Sequence, residues 1–115
     1  LPAVCCAAAG ATSATHATFV IERDYSHPPA KVFAAYAVPE QKAKWFSGPP
    51  EWQSHHEMDF RVGGMEISHG GPPGGTTHKM HGSYWDIVEN ERIVMCYEMH
   101  LDDTRISVSL GTTEF

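Results

Sequence analysis

The sequence predicts an α+β domain in which two short helices pack on one face of a curved antiparallel sheet. Three observations lead there. One strand-like alternation is followed by two helical segments, and after these the pattern is of strands only. Such segregation of helices from strands argues against alternating β-α units. Apolar residues make up 42% of the 115 residues and charged ones 19%, which fits one packed core and one domain. Trp45, Trp52 and Trp85 are large anchors for that core.

The first element covers Phe19 to Tyr25, where Phe19, Ile21 and Tyr25 share one parity and Glu22 and Asp24 the other, as in a half-buried strand. Ser26 and His27-Pro28-Pro29 break it. Ala30 to Tyr36 then sets Val32, Phe33 and Tyr36 at helical spacing, behind prolines that a first turn tolerates. Pro39 opens a second helix with Glu40 at its front, and Ser47-Gly48-Pro49-Pro50 ends it, so two helices form a V after the first strand. Glu51 to Val62 reads as extended, Gly63-Gly64 as a turn, and Met65 to His69 as the second arm of a hairpin. Gly70 to Gly75, made only of glycine and proline, reads as a flexible loop. His78 to Val88, Arg92 to His100 and Arg105 to Phe115 complete the sheet, with turns at Glu89-Asn90-Glu91 and Asp102-Asp103.

Residues 1–17 are Ala-rich and uncharged, without helix or strand periodicity, and are expected to be a flexible tail ahead of a domain over 18–115. They lack the positive n-region and apolar h-region of a secretory signal. Cys5, Cys6 and Cys96 are too few and too oddly placed for a disulfide framework, which points to a reducing compartment and a cytoplasmic location. No run approaches the roughly 20 apolar residues that cross a bilayer, so no membrane span is expected. Eight basic against 14 acidic residues, with a formal charge of −6 and no basic run, argue against nucleic acid as a partner.

The segments that carry a family likeness are Phe-Val-Ile-Glu-Arg at 19–23, Pro-Pro-Ala-Lys-Val-Phe-Ala-Ala-Tyr at 28–36 and Pro-Glu-Gln-Lys-Ala-Lys-Trp-Phe at 39–46. Asp59-Phe60-Arg61-Val62-Gly63-Gly64, Gly82-Ser83-Tyr84 and Glu91-Arg92-Ile93-Val94 follow in order. Together they resemble the START or SRPBCC superfamily, the birch-pollen-allergen-like helix-grip proteins, in the branch similar to activators of heat-shock protein 90 ATPase. The resemblance covers about residues 18 to 115. It implies an apolar cavity between sheet and helices, and a further C-terminal strand and long helix that this chain does not contain. A fragment is the expected reading, with cover by another chain, as in a homodimer, the alternative.

Ile93, Met95, Tyr97 and Met99 form one alternating stripe and Ile106, Val108 and Leu110 another, and both are expected on the inward face of the curved sheet. The resemblance places a ligand against such a face. Methionines adapt to irregular apolar shapes, so Met58, Met65, Met80, Met95 and Met99, with Trp52 and Tyr97, are the candidate ligand-binding residues. Eight histidines, at 16, 27, 55, 56, 69, 78, 81 and 100, show no metal-ligand spacing, and His78 and His81 fall on opposite strand faces, so no metal is expected. No phosphate-binding pattern surrounds Gly63-Gly64, and no cofactor is expected. Asp59 and Arg61 share parity and are expected to pair beside that turn. Cys96 has no neighbour in sequence that would activate its thiol. The leading reading is a noncatalytic binder of a small apolar molecule. One alternative is a polyketide cyclase or dehydratase-like enzyme with His69, His81, Tyr84 or Tyr97 as acid or base in the cavity. The other is a co-chaperone-type protein that contacts a chaperone.

Overall fold

The computed structural model describes residues 15–115. Residues 1–14, with Cys5, Cys6 and most of the segment read as a tail, lie outside the described residues. Helix α1 spans Pro29–Ala37 and α2 spans Pro39–Phe46. Val38 is at once the last cap of α1 and the first cap of α2, held extended at φ −93° and ψ 117°. The cause is Pro39, whose ring disfavours helical geometry in the residue before it. Val38 still donates its N–H to Ala34 O at 3.0 Å and accepts from Gln41 and Lys42, so the V bends without losing backbone bonds. Across the V, Trp45 Nε1 donates to Ala35 O at 3.0 Å and its ring meets Tyr36 edge-on at 4.9 Å.

The sheet holds β1 (Gln53–Met58), β2 (Met65–Gly71), β3 (His78–Val88), β4 (Arg92–Leu101) and β5 (Thr104–Glu114). They lie in the order β1-β2-β3-β4-β5, each antiparallel to its sequence neighbour. The β3–β4 and β4–β5 turns each use a residue with positive φ, Asn90 at 61° and Asp102 at 52°, side chains that tolerate the left-handed region. At the β1–β2 reversal a Cβ on Gly64 would collide with Asp59 O, which makes glycine obligatory there. Gly63 N donates to Tyr84 O at 2.8 Å and Tyr84 N to Gly64 O at 3.0 Å, so this turn clamps onto β3. Arg61 Nε donates to Asp59 Oδ2 at 2.8 Å, the pair expected beside it.

Two expected elements differ. Phe19 to Tyr25 is no strand: it runs outside the sheet, with Phe19 65% and Tyr25 57% exposed. Alternation of side chains marks two faces, but a strand exists only when a neighbour takes its N–H and C=O groups, and the sheet runs from β1 to β5 without it. The glycine-proline run is also less loop than expected, because Gly70 and Gly71 pair with Ser54 and Gln53 inside β2. Its remainder closes on itself, Gly75 N donating to Pro72 O at 2.9 Å, and just beyond it Asp102 N donates to Thr77 O at 2.8 Å and Thr77 N to Asp102 Oδ1 at 2.9 Å.

Register corrects a third expectation. Met95 and Tyr97 stand opposite Gly111 and Ser109, whereas Cys96 and Glu98 stand opposite Leu110 and Val108. Directly paired residues share a face. The stripe Ile93-Met95-Tyr97 therefore faces the helices, and Val108 and Leu110 face away. A bulge where Met99 pairs with Ser107 and His100 with Arg105 leaves Ile106 out of register and 54% exposed.

The core lies between the helix V and the inner sheet face. Phe33, Tyr84 and Ile93 are buried, with Tyr36, Phe60, Ile87, Met95 and Phe115 packed around them. Phe33 meets Phe60 at 5.8 Å and Phe115 at 5.3 Å, both edge-on, the arrangement that aromatic quadrupoles favour. Among the described residues no helix is long and apolar enough to cross a membrane. Phe33→Ala is expected to cost about 3–5 kcal/mol, and Trp85→Ala, at an exposed bulge, less than about 1 kcal/mol. Urea unfolding of both variants checks this, and similar losses would overturn the assigned core.

Candidate functional site

A trough of about 740 Å³ lies beside the core. Its floor is the inner face of β4 and β5, with Ile93, Met95, Tyr97 and residues Gly111 to Phe115; one wall is α1 through Pro29, Val32 and Tyr36. The segment Phe19 to Tyr25 with His27 forms the other wall. Gly82 shapes the floor: a Cβ there would stand 2.7 Å from Met95 Cε and 3.0 Å from Tyr97 Cβ, so its absence lets Met95 lie across β3, while the Tyr97 ring lies over Gly111 of β5. The floor is apolar at Ile93, Met95 and Phe115, with Thr113 and Glu114 among them, while Glu22, Arg23 and Asp24 bring charge to the rim. Tyr36 bridges the two. Its phenol is raised above the ordinary value of 10.0 by burial first and then by Tyr25, so it stays protonated as a donor.

Next to the trough, under α2, is a buried polar cluster. Glu66 is 0% exposed, because the register that pairs it with Met58 and Gly82 turns it toward the helices. Lys42 of α2, itself buried, donates from Nζ to Glu66 Oε1 at 2.6 Å. The Tyr84 hydroxyl donates to the same oxygen, and His56 Nε2 stands 2.9 Å from Oε2. Since a carboxylate only accepts, that nitrogen carries the hydrogen. Burial alone would raise the Glu66 carboxyl, but the bonds from Lys42 and Tyr84 and the Lys42 charge outweigh it and hold it below the usual value. Tyr84 is pushed well above an ordinary phenol, by burial first and then by donating to Glu66. The Lys42 ammonium also stands 4.7 Å from the Phe46 ring centroid.

The structure brings Met95 and Tyr97 together in the trough and scatters the other candidates. Met58 packs on the core. Met80, 6% exposed, pairs with Met99 farther along the inner face, away from the trough. Met65 stands opposite Ser83 and is 55% exposed on the outer face, because its neighbour Glu66 takes the inward position. Trp52 stacks on His78 at 5.1 Å, near the start of β1. His69 and His81 sit on the outer face, in register with Lys79 and Ile67, so neither points into the cavity. Tyr84 faces inward but gives its hydroxyl to Glu66, which leaves Tyr97 alone among the acid-base candidates on the trough floor. Lys42, Glu66 and His56 escaped the sequence reading. The available signal was an acid alternating with Ser68 between Met65 and Ile67, a pattern that reads as solvent-facing until Lys42 is known to cover it.

The family described as Activator of Hsp90 ATPase homolog 1-like protein matches residues 26–115. No curated protein matches the chain. A solved protein of Rhizobium leguminosarum is similar at 47% identity and a TM-score of 0.83, covering 90% of this chain and 68% of its own. A protein of Rhizobium loti is 35% identical with a TM-score of 0.80, over 88% of this chain and 73% of its own. One of Chromobacterium violaceum is 26% identical with a TM-score of 0.55, over 81% and 75%.

Removing one partner of the buried pair leaves a charge without compensation, so Lys42→Met is expected to cost about 3–5 kcal/mol, and adding Glu66→Gln to restore part of it. Equal stability of the single and double variants would overturn the coupling. The pH dependence has a defined sign. Glu66 titrates lower folded than unfolded, so its contribution is full above the ordinary carboxyl value of 4.5 and disappears as pH falls through the folded value. Tyr84 titrates higher folded, so its contribution is full below the ordinary phenol value of 10.0 and declines as pH rises beyond it. Urea midpoints against pH should therefore show a shallower acid slope in Glu66→Gln and a shallower alkaline slope in Tyr84→Phe, with Glu98 and Tyr36 carrying the remainder; unchanged slopes would remove the cluster from the stability profile.

Proposed function

Because the chain belongs to the Activator of Hsp90 ATPase homolog 1-like family, we propose that it holds a small amphipathic molecule, apolar for most of its length and polar at one end, in the trough. The family points to ligand-binding or co-chaperone-like roles, and the trough favours the first. The observation that carries the reading is a concavity of about 740 Å³, floored by Ile93, Met95 and Tyr97 and rimmed by charged side chains. That volume lies in the range of small-molecule sites, roughly 300–1,000 Å³, where apolar walls give affinity and a few polar groups give orientation. The ligand's body would lie over Met95, whose flexible thioether fits irregular shapes, and its polar end would meet Tyr36 or the rim.

Binding without turnover is supported by where the acid-base candidates stand. His69 and His81 are on the far face and Tyr84 is committed to Glu66, so Tyr97 stands on the trough floor without a second acid-base candidate beside it. The unit proposed to carry the site is residues 18–115, in the cytoplasm.

Titration with an anilinonaphthalene sulfonate dye, followed by displacement with a panel of fatty acids and aromatic amphiphiles, tests this. Dye binding is expected in wild type, with Met95→Trp, which fills the floor, weakening it at least about tenfold and His69→Gln leaving it unchanged. If no compound binds or raises the melting temperature, or if Met95→Trp binds as wild type does, the proposal fails.

A further inference from the structure

The outer face of the sheet carries a row of imidazoles that no single strand reveals. His55 on β1, His69 on β2, His81 on β3 and His100 on β4 follow one another across four neighbouring strands, with ring centroids 6.4, 5.1 and 6.2 Å apart. Register produces the row: His55 stands opposite His69, and His81 lies diagonally across β2–β3, with Ile67 as its direct partner. At its centre, His69 Nε2 and His81 Nε2 are 2.8 Å apart. The rings lie 21° from parallel, and a 5.1 Å centroid separation with so short a nitrogen gap means that they meet end to end. One Nε2 therefore donates its hydrogen to the lone pair of the other.

We propose that His69 and His81 form a two-imidazole site for a divalent transition-metal ion of the Cu²⁺ or Ni²⁺ kind, on the face opposite the trough. The 2.8 Å gap is that of their N–H···N bond, so the two ring nitrogens already meet at one place and a rotation of each ring would open them around an ion. Imidazole nitrogen suits late first-row divalent ions, and Cu²⁺ heads their order of affinity. Both histidines sit on interior strands of the sheet, so the backbone fixes the spacing of the two rings before any ion arrives. Binding requires each ring to turn its Nε2 lone pair from its partner toward a common point. The ring that carried hydrogen on Nε2 passes it through solvent to its own Nδ1, so both Nε2 atoms become free with no net release of a proton.

The surroundings are mixed in charge. Glu57 and His55 of β1, Lys79 of β3, Glu98 and His100 of β4 and Arg105 of β5 face the same side. Glu98 stands directly opposite His81, but it is already taken by His100 at 3.1 Å and Arg105 at 3.3 Å. Among the described residues no three histidine, cysteine or acidic side chains converge on one point, so water completes the coordination sphere.

The test is a competition titration of the whole chain with CuSO₄ at neutral pH, with electron paramagnetic resonance on the bound ion. One Cu²⁺ per chain with two equatorial nitrogens is expected. His69→Gln and His81→Gln should each weaken it at least about tenfold and leave one nitrogen, while His78→Gln changes nothing. Undiminished binding in either variant overturns the site, as does a loss spread evenly over all the histidine variants, which marks adventitious surface binding. Should either variant fail to fold, long-range ¹H–¹⁵N spectra of the wild type with substoichiometric CuSO₄ decide: the His69 and His81 imidazole resonances must broaden together and before those of the other histidines, and if they do not the site does not exist.

Discussion

A carboxylate that water does not reach sits between the sheet and the second helix, and its three donors come from three different elements. Lys42 belongs to α2, His56 to β1 and Tyr84 to β3, and each bonds an oxygen of Glu66 on β2. A buried charge of this kind costs several kcal/mol unless all its partners are present, so the arrangement of those elements is specified together or not at all. The β1–β2 turn serves the same end, because its backbone bonds to Tyr84 fix the strand that carries one of the donors. The trough depends on this indirectly: Tyr84, held by Glu66, stands opposite Met95, which forms the trough floor.

Much of the architecture could be read directly from the chain. Both helices are marked by an N-terminal proline and an apolar spacing, and the second spans Pro39–Phe46 as expected. The strand from His78 to Val88 is bounded by strong turn residues on one side and the Gly-Pro run on the other, and it holds those bounds. Faces were harder, since they depend on pairing. Val108 and Leu110 form a stripe as convincing as Met95 and Tyr97, and only the register, with its bulge beside Met99, sends the two to opposite sides. Glu66 inverted the reading of its own strand. Met65 and Ile67 look inward by hydropathy, yet a lysine 24 residues earlier makes the acid the buried residue.

The sheet thus has two differently made faces. The inner one is aromatic and aliphatic, interrupted by one fully bonded acid, and it shapes a concavity. The outer one carries imidazoles, carboxylates and basic side chains in rows that cross the strands, with Glu98 accepting from both Arg105 and His100. Its donors lower the Glu98 carboxyl, the His100 bond first, so it stays ionised on a face that is otherwise rich in imidazole. A sheet of this thickness separates the two chemistries by a single layer of backbone, which lets a change on one side leave the other intact.

The strictly sequential pairing of the strands has a further consequence, in the timing of assembly. Every strand pairs with the one just made, so the sheet can grow hairpin by hairpin. The helices come earlier in the chain, but Lys42 meets its acceptor only 24 residues later, and Tyr84 later still. An ammonium group stripped of water before that acceptor arrives would be strongly disfavoured. Burial of Lys42 therefore needs β2 and β3 in place, and the core around Phe33 is complete only when Ile93 of β4 and Phe115 at the end of β5 reach α1.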